Sequence, residues 1–289
     1  MAPFYGVMMF AAGVHGAPQW WNTGRITSFW YAPDNNWRDA VSLIAAHPGG
    51  VTTTFNYCGL DISDAGTIID SFSPICAQLF PALAALGVRA EISSGSGNCS
   101  IAAMRMLWAD PASPPAVLAA ALAANASGVS IDFEPQADNC RGGPTGSAAD
   151  AAPFAAWLGA VRALLHPRGI RLTVDVASWS PVLKEYATLA PSVDRLLTME
   201  TYNGESFSAW LPYLTEFLAS TPLEKAGVGL GAWSDGKGAW WETPAGADFK
   251  VNASVAANVP ELAVFRILPS TSPPWPLPFW WPALAKFHV

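Results

Sequence analysis

The run Gly128-Val129-Ser130-Ile131-Asp132-Phe133-Glu134-Pro135 constrains this chain more than any other stretch. Successive side chains on a strand point to opposite faces, so Val129, Ile131 and Phe133 share one side and Ser130, Asp132 and Glu134 the other. The apolar side has to be buried. In a parallel sheet covered by helices it packs outward against them, which sends Asp132 and Glu134 toward the middle of the sheet. By the rise of a strand the two acids are about 7 Å apart along it, near the end that Pro135 closes. Unpaired carboxylates are costly to bury, so acids placed this way point to a use for them. An Asp-x-Glu triplet is unsurprising in a chain with 22 acids. Its weight comes from its place at the end of a β-type run with similar runs on both sides.

Those flanking runs, bounded by turn residues, predict strands at 25–31, 51–57, 88–94, 171–177, 194–202, 227–233 and 262–268, with the acidic run as the fourth of eight. Cys58-Gly59 is expected to close the second. Helical spacing predicts helices over 37–46, 68–86, 115–124, 149–165 and 206–219, and a closing helix holding Trp280, Trp281, Leu284 and Phe287. Strands alternating with helices through one domain of 289 residues predict an α/β fold, a (β/α)8 TIM barrel. An open doubly wound sheet is the other arrangement of such elements, but no Gly-x-Gly-x-x-Gly follows the first strand. The expected division is an N-terminal arm or signal remnant over residues 1–22 and a catalytic barrel over 23–289.

Composition narrows the function. The net charge is −7 with no run of Lys or Arg, which argues against nucleic acid or an anionic membrane as partner. Nowhere do 18 apolar residues run unbroken, so no membrane span is expected. The 24 Gly and 25 Pro are spread along the chain, as many turns between short buried elements require. Val7 to Val14 is apolar and is followed by Gly16 and Ala17, but the basic segment of a secretion signal is missing, so a truncated signal and a plain arm both remain open. Cys58, Cys76, Cys99 and Cys140 are even in number and widely spaced, without a metal-type pair. Two disulfides fit them, and so do four reduced core cysteines. With acceptor sequences for glycosylation at Asn98, Asn125 and Asn252, secretion or a secretory-pathway organelle is the expected location, and a monomer the expected state.

In a barrel of this kind functional groups gather at the C-terminal ends of the strands. Inward parity adds Glu91 with Ser93, Asp175 with Thr173, and Glu200 with Tyr202. Glu91 and Asp175 are expected at mid-barrel or the opposite rim as structural hydrogen-bonding groups. Glu200, Tyr202 and Asn203 are expected at the active rim. Tyr31, Trp179, Trp233 and Trp275 follow strand ends, where they offer either a floor for stacking sugar rings or ordinary packing. The four histidines, His15, His47, His166 and His288, have no metal-ligand or triad spacing, and there is no phosphate-binding glycine loop. Neither a metal nor a cofactor is called for.

Taken together, these residues resemble the glycoside hydrolase family 18 barrel, the chitinase and endo-β-N-acetylglucosaminidase group. That family's fourth strand carries Asp-Gly-x-Asp-x-Asp-x-Glu, against which this chain has Ser127-Gly128-Val129-Ser130-Ile131-Asp132-Phe133-Glu134. Its Met-x-Tyr-Asp has a counterpart in Glu200-Thr201-Tyr202-Asn203, and its Ser-x-Gly-Gly in Ser93-Ser94-Gly95-Ser96. Serines stand in place of the first two acids, Glu200 in place of Met, and Leu268-Pro269 where a Trp ends the last strand, with Trp275 placed to supply one.

The resemblance implies a retaining hydrolase of N-acetylhexosamine-containing glycans, with an oligo- or polysaccharide as partner. Glu134 would be the general acid, Asp132 the partner of the acetamido N–H, and Tyr202 the holder of its oxygen, with Asn203 supporting the sugar. Because Ser130 cannot take charge from Asp132, either a shifted pH optimum or a partner role for Glu200 is implied. The other readings are a non-catalytic chitinase-like carbohydrate-binding barrel and a metal-dependent phosphodiesterase barrel using Glu91, Asp132, Glu134 and Glu200.

Overall fold

Short runs rich in β-branched and aliphatic residues, each followed by a turn and a helix, bury both faces of their strands when the strands close into a barrel under a helical layer. That is the architecture of the computed structural model, which describes residues 19–33, 35–47, 51–69, 74–94, 100–135, 145–199, 207–231, 243–267 and 280–289. The barrel strands are β1 (Ile26–Tyr31), β2 (Val51–Ile62), β4 (Arg89–Ser94), β5 (Gly128–Ile131), β6 (Arg171–Val176), β7 (Arg195–Thr198), β8 (Ala226–Gly231) and β9 (Glu261–Ile267). They pair in parallel in that order, and β9 returns to β1 to close the ring. The two-residue strand β3 (Ile68–Ile69) pairs antiparallel with the end of β2.

Around the barrel lie α1 (Trp37–Ala45), α2 (Pro74–Ala85), α3 (Ile101–Ala109), α4 (Ser113–Ala123), α5 (Ala151–Leu165), α6 (Tyr186–Leu189), α7 (Phe207–Ser220), α8 (Pro244–Ala256) and α9 (Trp281–Ala285). The helical stretch Ala148–Arg168 is long and apolar enough to cross a membrane by composition alone. Here its apolar face, Phe154, Trp157, Leu158 and Val161 among it, is buried in the core.

Two expectations are corrected. Cys58-Gly59 does not end β2. The pairing with β4 shifts between Asn56 and Leu60, and Gly59 sits at φ 92°, a backbone conformation that favours glycine. The irregularity lets the strand continue, and Cys58, buried in the core, bonds to Cys76 on α2 with their Cα atoms 6.2 Å apart. Cys99 and Cys140 lie outside the described residues. Nor does a helix begin at Ile68. The pair Ile68-Ile69 edges the sheet, and the helix starts at Pro74, whose ring tolerates a first helical position. Helices α3, α6 and α8 have no counterpart in the expected set.

On β5 the outward residues Val129 and Ile131 join the core between barrel and helices, as does Phe133 just beyond the strand. The Phe133 ring lies 6.2 Å from Phe154 and 5.8 Å from Trp157, both on α5. Inside, the N-terminal end of the barrel is filled by ions rather than hydrocarbon. Arg171 bridges Glu91 and Glu261 at 2.6 Å each, and Arg195 reaches Glu261 at 2.9 Å, all fully or almost fully buried. Thr53 donates to Glu91, and Ser28 donates to Glu261. Burial pushes the Glu261 carboxyl up, but the two guanidiniums outweigh it and leave it below its ordinary value.

The turn Trp20–Asn22 packs under this network. The Trp21 carbonyl accepts from Arg195 at 3.1 Å, and the Trp20 ring lies 4.9 Å from the Arg171 guanidinium.

Gly128 makes room for the network, since a Cβ there would come within 2.2 Å of Glu91 Oε2. Displacing Glu91 would leave Arg171 without half of its buried counter-charge. Gly128→Ala is therefore expected to cost about 3 kcal/mol or more in denaturant unfolding, as overpacking and a broken buried pair together predict.

Candidate active site

Strands deliver side chains to the interior at every second residue, and the upper, C-terminal part of this barrel receives acids that, among the described residues, no cation meets in the way the lower four ions meet one another. The β5 ladder ends at Ile131, so Asp132 and Glu134 occupy its continuation into the loop. The Asp132 N–H donates to Ser94 Oγ at 2.7 Å, which ties the backbone to β4. The Tyr57 hydroxyl, from β2, donates to Asp132 Oδ2 at 3.2 Å.

The Glu134 carboxyl faces Asp132 closely enough for its charge to raise the Asp132 carboxyl, an arrangement that favours one shared proton over two full charges. Strand rise alone had put them about 7 Å apart; beyond the ladder their side chains converge. Asp132 is 4% exposed, whereas Glu134 is half-buried and reaches the surface.

Asp175 joins them from β6. Ser130 Oγ donates to its Oδ2 at 3.4 Å, and it is 1% exposed. Among the described residues, Oδ1 of Asp132 and Oδ1 of Asp175 have no N–H or O–H donor. Burial first, and then the charge of Glu134, hold the Asp132 carboxyl well above the usual carboxylate range; the Tyr57 hydrogen bond only partly offsets them. Asp175 is raised by burial and by the charges of Asp132 and Glu134. Burial and the same acids raise the Tyr57 phenol, so it remains a proton donor to Asp132.

Below the acids lies a small aromatic layer. Trp30 is 4.7 Å from Phe55, 5.5 Å from Tyr57 and 6.4 Å from Phe265, centroid to centroid. Tyr31, expected at the rim, is instead 1% exposed in the core between barrel and helices, because alternation along β1 points Ser28 and Trp30 inward and Phe29 and Tyr31 outward. Trp179, just after β6, is 44% exposed and free to meet a ligand.

Glu91 belongs to the ion network at the base, as the sequence suggested; Asp175 does not, and stands beside the acid pair. On β7 the described inward side chains are Arg195 and Leu197, the opposite parity to the one expected there, fixed by the pairing of Leu197 with Asp175. Glu200, Tyr202, Asn203, Trp233 and Trp275 lie outside the described residues.

Tyr57 and Trp30 were not anticipated. The signal for each was its parity, Tyr57 with Thr53 and Phe55, and Trp30 with Ser28. No group of three His, Cys, Asp or Glu placed to hold a metal occurs among the described residues. Hollows of about 780 and 640 Å³ open elsewhere, the first lined by Arg89 and Arg168, the second by Arg25 and Arg195. Neither is lined by two acids, so the paired carboxyls at the strand ends remain the candidate.

No protein-family model matches the sequence, and no curated protein matches it. Solved structures do match. A chitinase from Chromobacterium violaceum ATCC 12472 superposes with a TM-score of 0.70 at 15% identity, over 91% of this chain and 98% of that one. The chain has the fold of the solved chitinases. The class V chitinase from Nicotiana tobaccum gives 0.67 at 12% identity over 92% and 99% of the two chains. The Bacillus cereus spore cortex-lytic enzyme SleL gives 0.68 at 14%, over 92% of this chain and 75% of its own. The resemblance drawn from the acidic motif thus extends to the whole barrel, in a divergent sequence.

A carboxyl whose pKa is raised by folding holds its proton more tightly folded than unfolded. Stability therefore declines as pH rises from the ordinary Asp value of 3.8 through the raised one, by up to about 1.4 kcal/mol per pH unit for each proton released. Asp132→Asn removes the share of that decline due to Asp132. It is expected to unfold at a higher temperature than wild type at about pH 7, the two converging toward about pH 4, when thermal unfolding is followed by circular dichroism across that range.

Proposed function

We propose that the protein is a retaining glycoside hydrolase acting on N-acetylhexosamine-containing glycans, chitin-like or N-linked, by substrate-assisted catalysis. The observation that carries this reading is the pair of facing carboxyls at the C-terminal end of a barrel strand, with Asp132 sealed in and Glu134 open to the surface. The fold shared with chitinases supports it.

In this reading Glu134 holds the shared proton and donates it to the glycosidic oxygen. The substrate's own 2-acetamido carbonyl oxygen attacks the anomeric carbon as the bond to the leaving group breaks, forming an oxazolinium ion. Asp132, kept in place by Tyr57 and Ser94, accepts the acetamido N–H and stabilises the positive ring. Water then attacks the anomeric carbon from the face the leaving group vacated, with Glu134 taking its proton as the bond to the acetamido oxygen breaks, and the configuration is retained. Tyr202 holds the acetamido oxygen in line and Asn203 supports the sugar, both roles carried over from the family resemblance. Trp179, exposed beside the strand ends, provides a stacking surface, with Trp233 and Trp275 as further candidates. The Cys58–Cys76 disulfide accords with an oxidising, extracellular or secretory-pathway setting.

The test is hydrolysis of fluorogenic chitobiose and chitotriose glycosides and of a high-mannose glycopeptide, without added metal. Glu134→Gln is expected to lower kcat by about 10²- to 10⁴-fold, the usual worth of a general acid. Binding of these sugars with no turnover by wild type would move the assignment to a carbohydrate-binding barrel. Trp179→Ala is expected to raise KM by about 2- to 10-fold with kcat little changed, the worth of one aromatic contact.

A further inference from the structure

The acid pair does not account for Asp175. Strands β5 and β6 run in register Ser130↔Thr173 and Ile131↔Val174, so the next step brings Asp132 level with Asp175. Asp175 is 1% exposed, one oxygen takes a hydrogen bond from Ser130, and the other has no donor among the described residues. A carboxylate buried for structural reasons has its oxygens filled, as Glu91 and Glu261 at the base do.

Among the described residues, the ionisable groups that face Asp175 are acids and a phenol. Asp132 and Glu134 come from the end of β5, the Tyr57 hydroxyl from β2, and the more distant Glu261 from below. Strand β7 presents Leu197 at the paired position. The guanidiniums of Arg171 and Arg195 are engaged with Glu91 and Glu261.

We propose that Asp175 is a positioning acid for Glu134: as a third carboxyl across the strand pair it adds to the cost of ionising the group, so that the Asp132–Glu134 couple keeps a proton at the pH where the site works. The inference rests on the glycosidase reading of the same site. The cost of placing a further like charge in a water-poor barrel is what discourages the couple from ionising. Ser130 sets the strength of the effect, because its hydroxyl stabilises the charged form of Asp175.

The test compares wild type, Asp175→Asn and Ser130→Ala, each first checked for folding by circular dichroism. In the pH dependence of kcat/KM on the fluorogenic chitobioside, the alkaline limb of Asp175→Asn is expected to move about one pH unit or more toward acid, with KM within about two-fold of wild type. Ser130→Ala should move the limb the same way by less, since Asp175 without its hydrogen bond carries less charge. A purely structural role would lower kcat at every pH and leave the limb where it is, and that result overturns the proposal. Should wild type turn over none of the glycosides, the glycosidase reading fails by itself. Carboxyl titration followed by carbon NMR then decides the proton sharing: the remaining acids ionise at lower pH in Asp175→Asn if it is right, and at unchanged pH if it is wrong. Should Asp175→Asn not fold, Ser130→Ala carries both readouts.

Discussion

The Arg171 guanidinium, clamped between Glu91 and Glu261, is the contact on which the rest of the interior depends. A closed barrel of this width must be filled by side chains, and ions placed there have to neutralise one another. Two acids and two arginines do so at the base. Among the described residues the acids of the upper half have no counter-ion, since Arg171 and Arg195 are engaged below. The two ends therefore give the same functional group different partners: a carboxyl at the base is met by guanidiniums, and a carboxyl at the top by other acids. Between them Trp30, Phe55 and Leu197 form an apolar layer that separates the two regimes.

Much of this was legible in the chain. The alternation through Val129, Ser130, Ile131, Asp132 and Phe133 fixed which side chains face inward, and repetition of strand and helix left the barrel as the natural closure. What escaped had physical reasons. On β1 both faces are aromatic at the rim, so hydropathy did not separate Trp30 from Tyr31. Tyr57 was hidden because Cys58-Gly59 reads as a stop, whereas glycine's freedom at φ 92° lets the strand pass through. Arg171, Arg195 and Glu261 are far apart in sequence, each at the start of its strand, and only the ring closure brings them together. Asp175 was expected to be structural because sequence spacing gives no account of which partners a buried acid finds.

The likeness to chitinases at 12–15% identity is consistent with this division of labour. A (β/α)8 scaffold separates the elements that make it stable from the loops that make it specific. Sequence can drift widely in the helical layer while the alternation that aims residues inward is kept.

The Phe133 side chain shows where that freedom ends. It is the one residue between the two acids, and its ring is set against Phe154 and Trp157, which in turn meet Trp108 on α3 through Phe154. Past the end of the β5 ladder the backbone is held by the Ser94 hydroxyl at Asp132 and by this aromatic stack. The helix layer acts as a vice on the peptide that carries the acids, so a change of ring volume in α3 or α5 is transmitted as a change in the angle at which Asp132 meets Glu134. The barrel's outer wall is in this sense part of its proton chemistry.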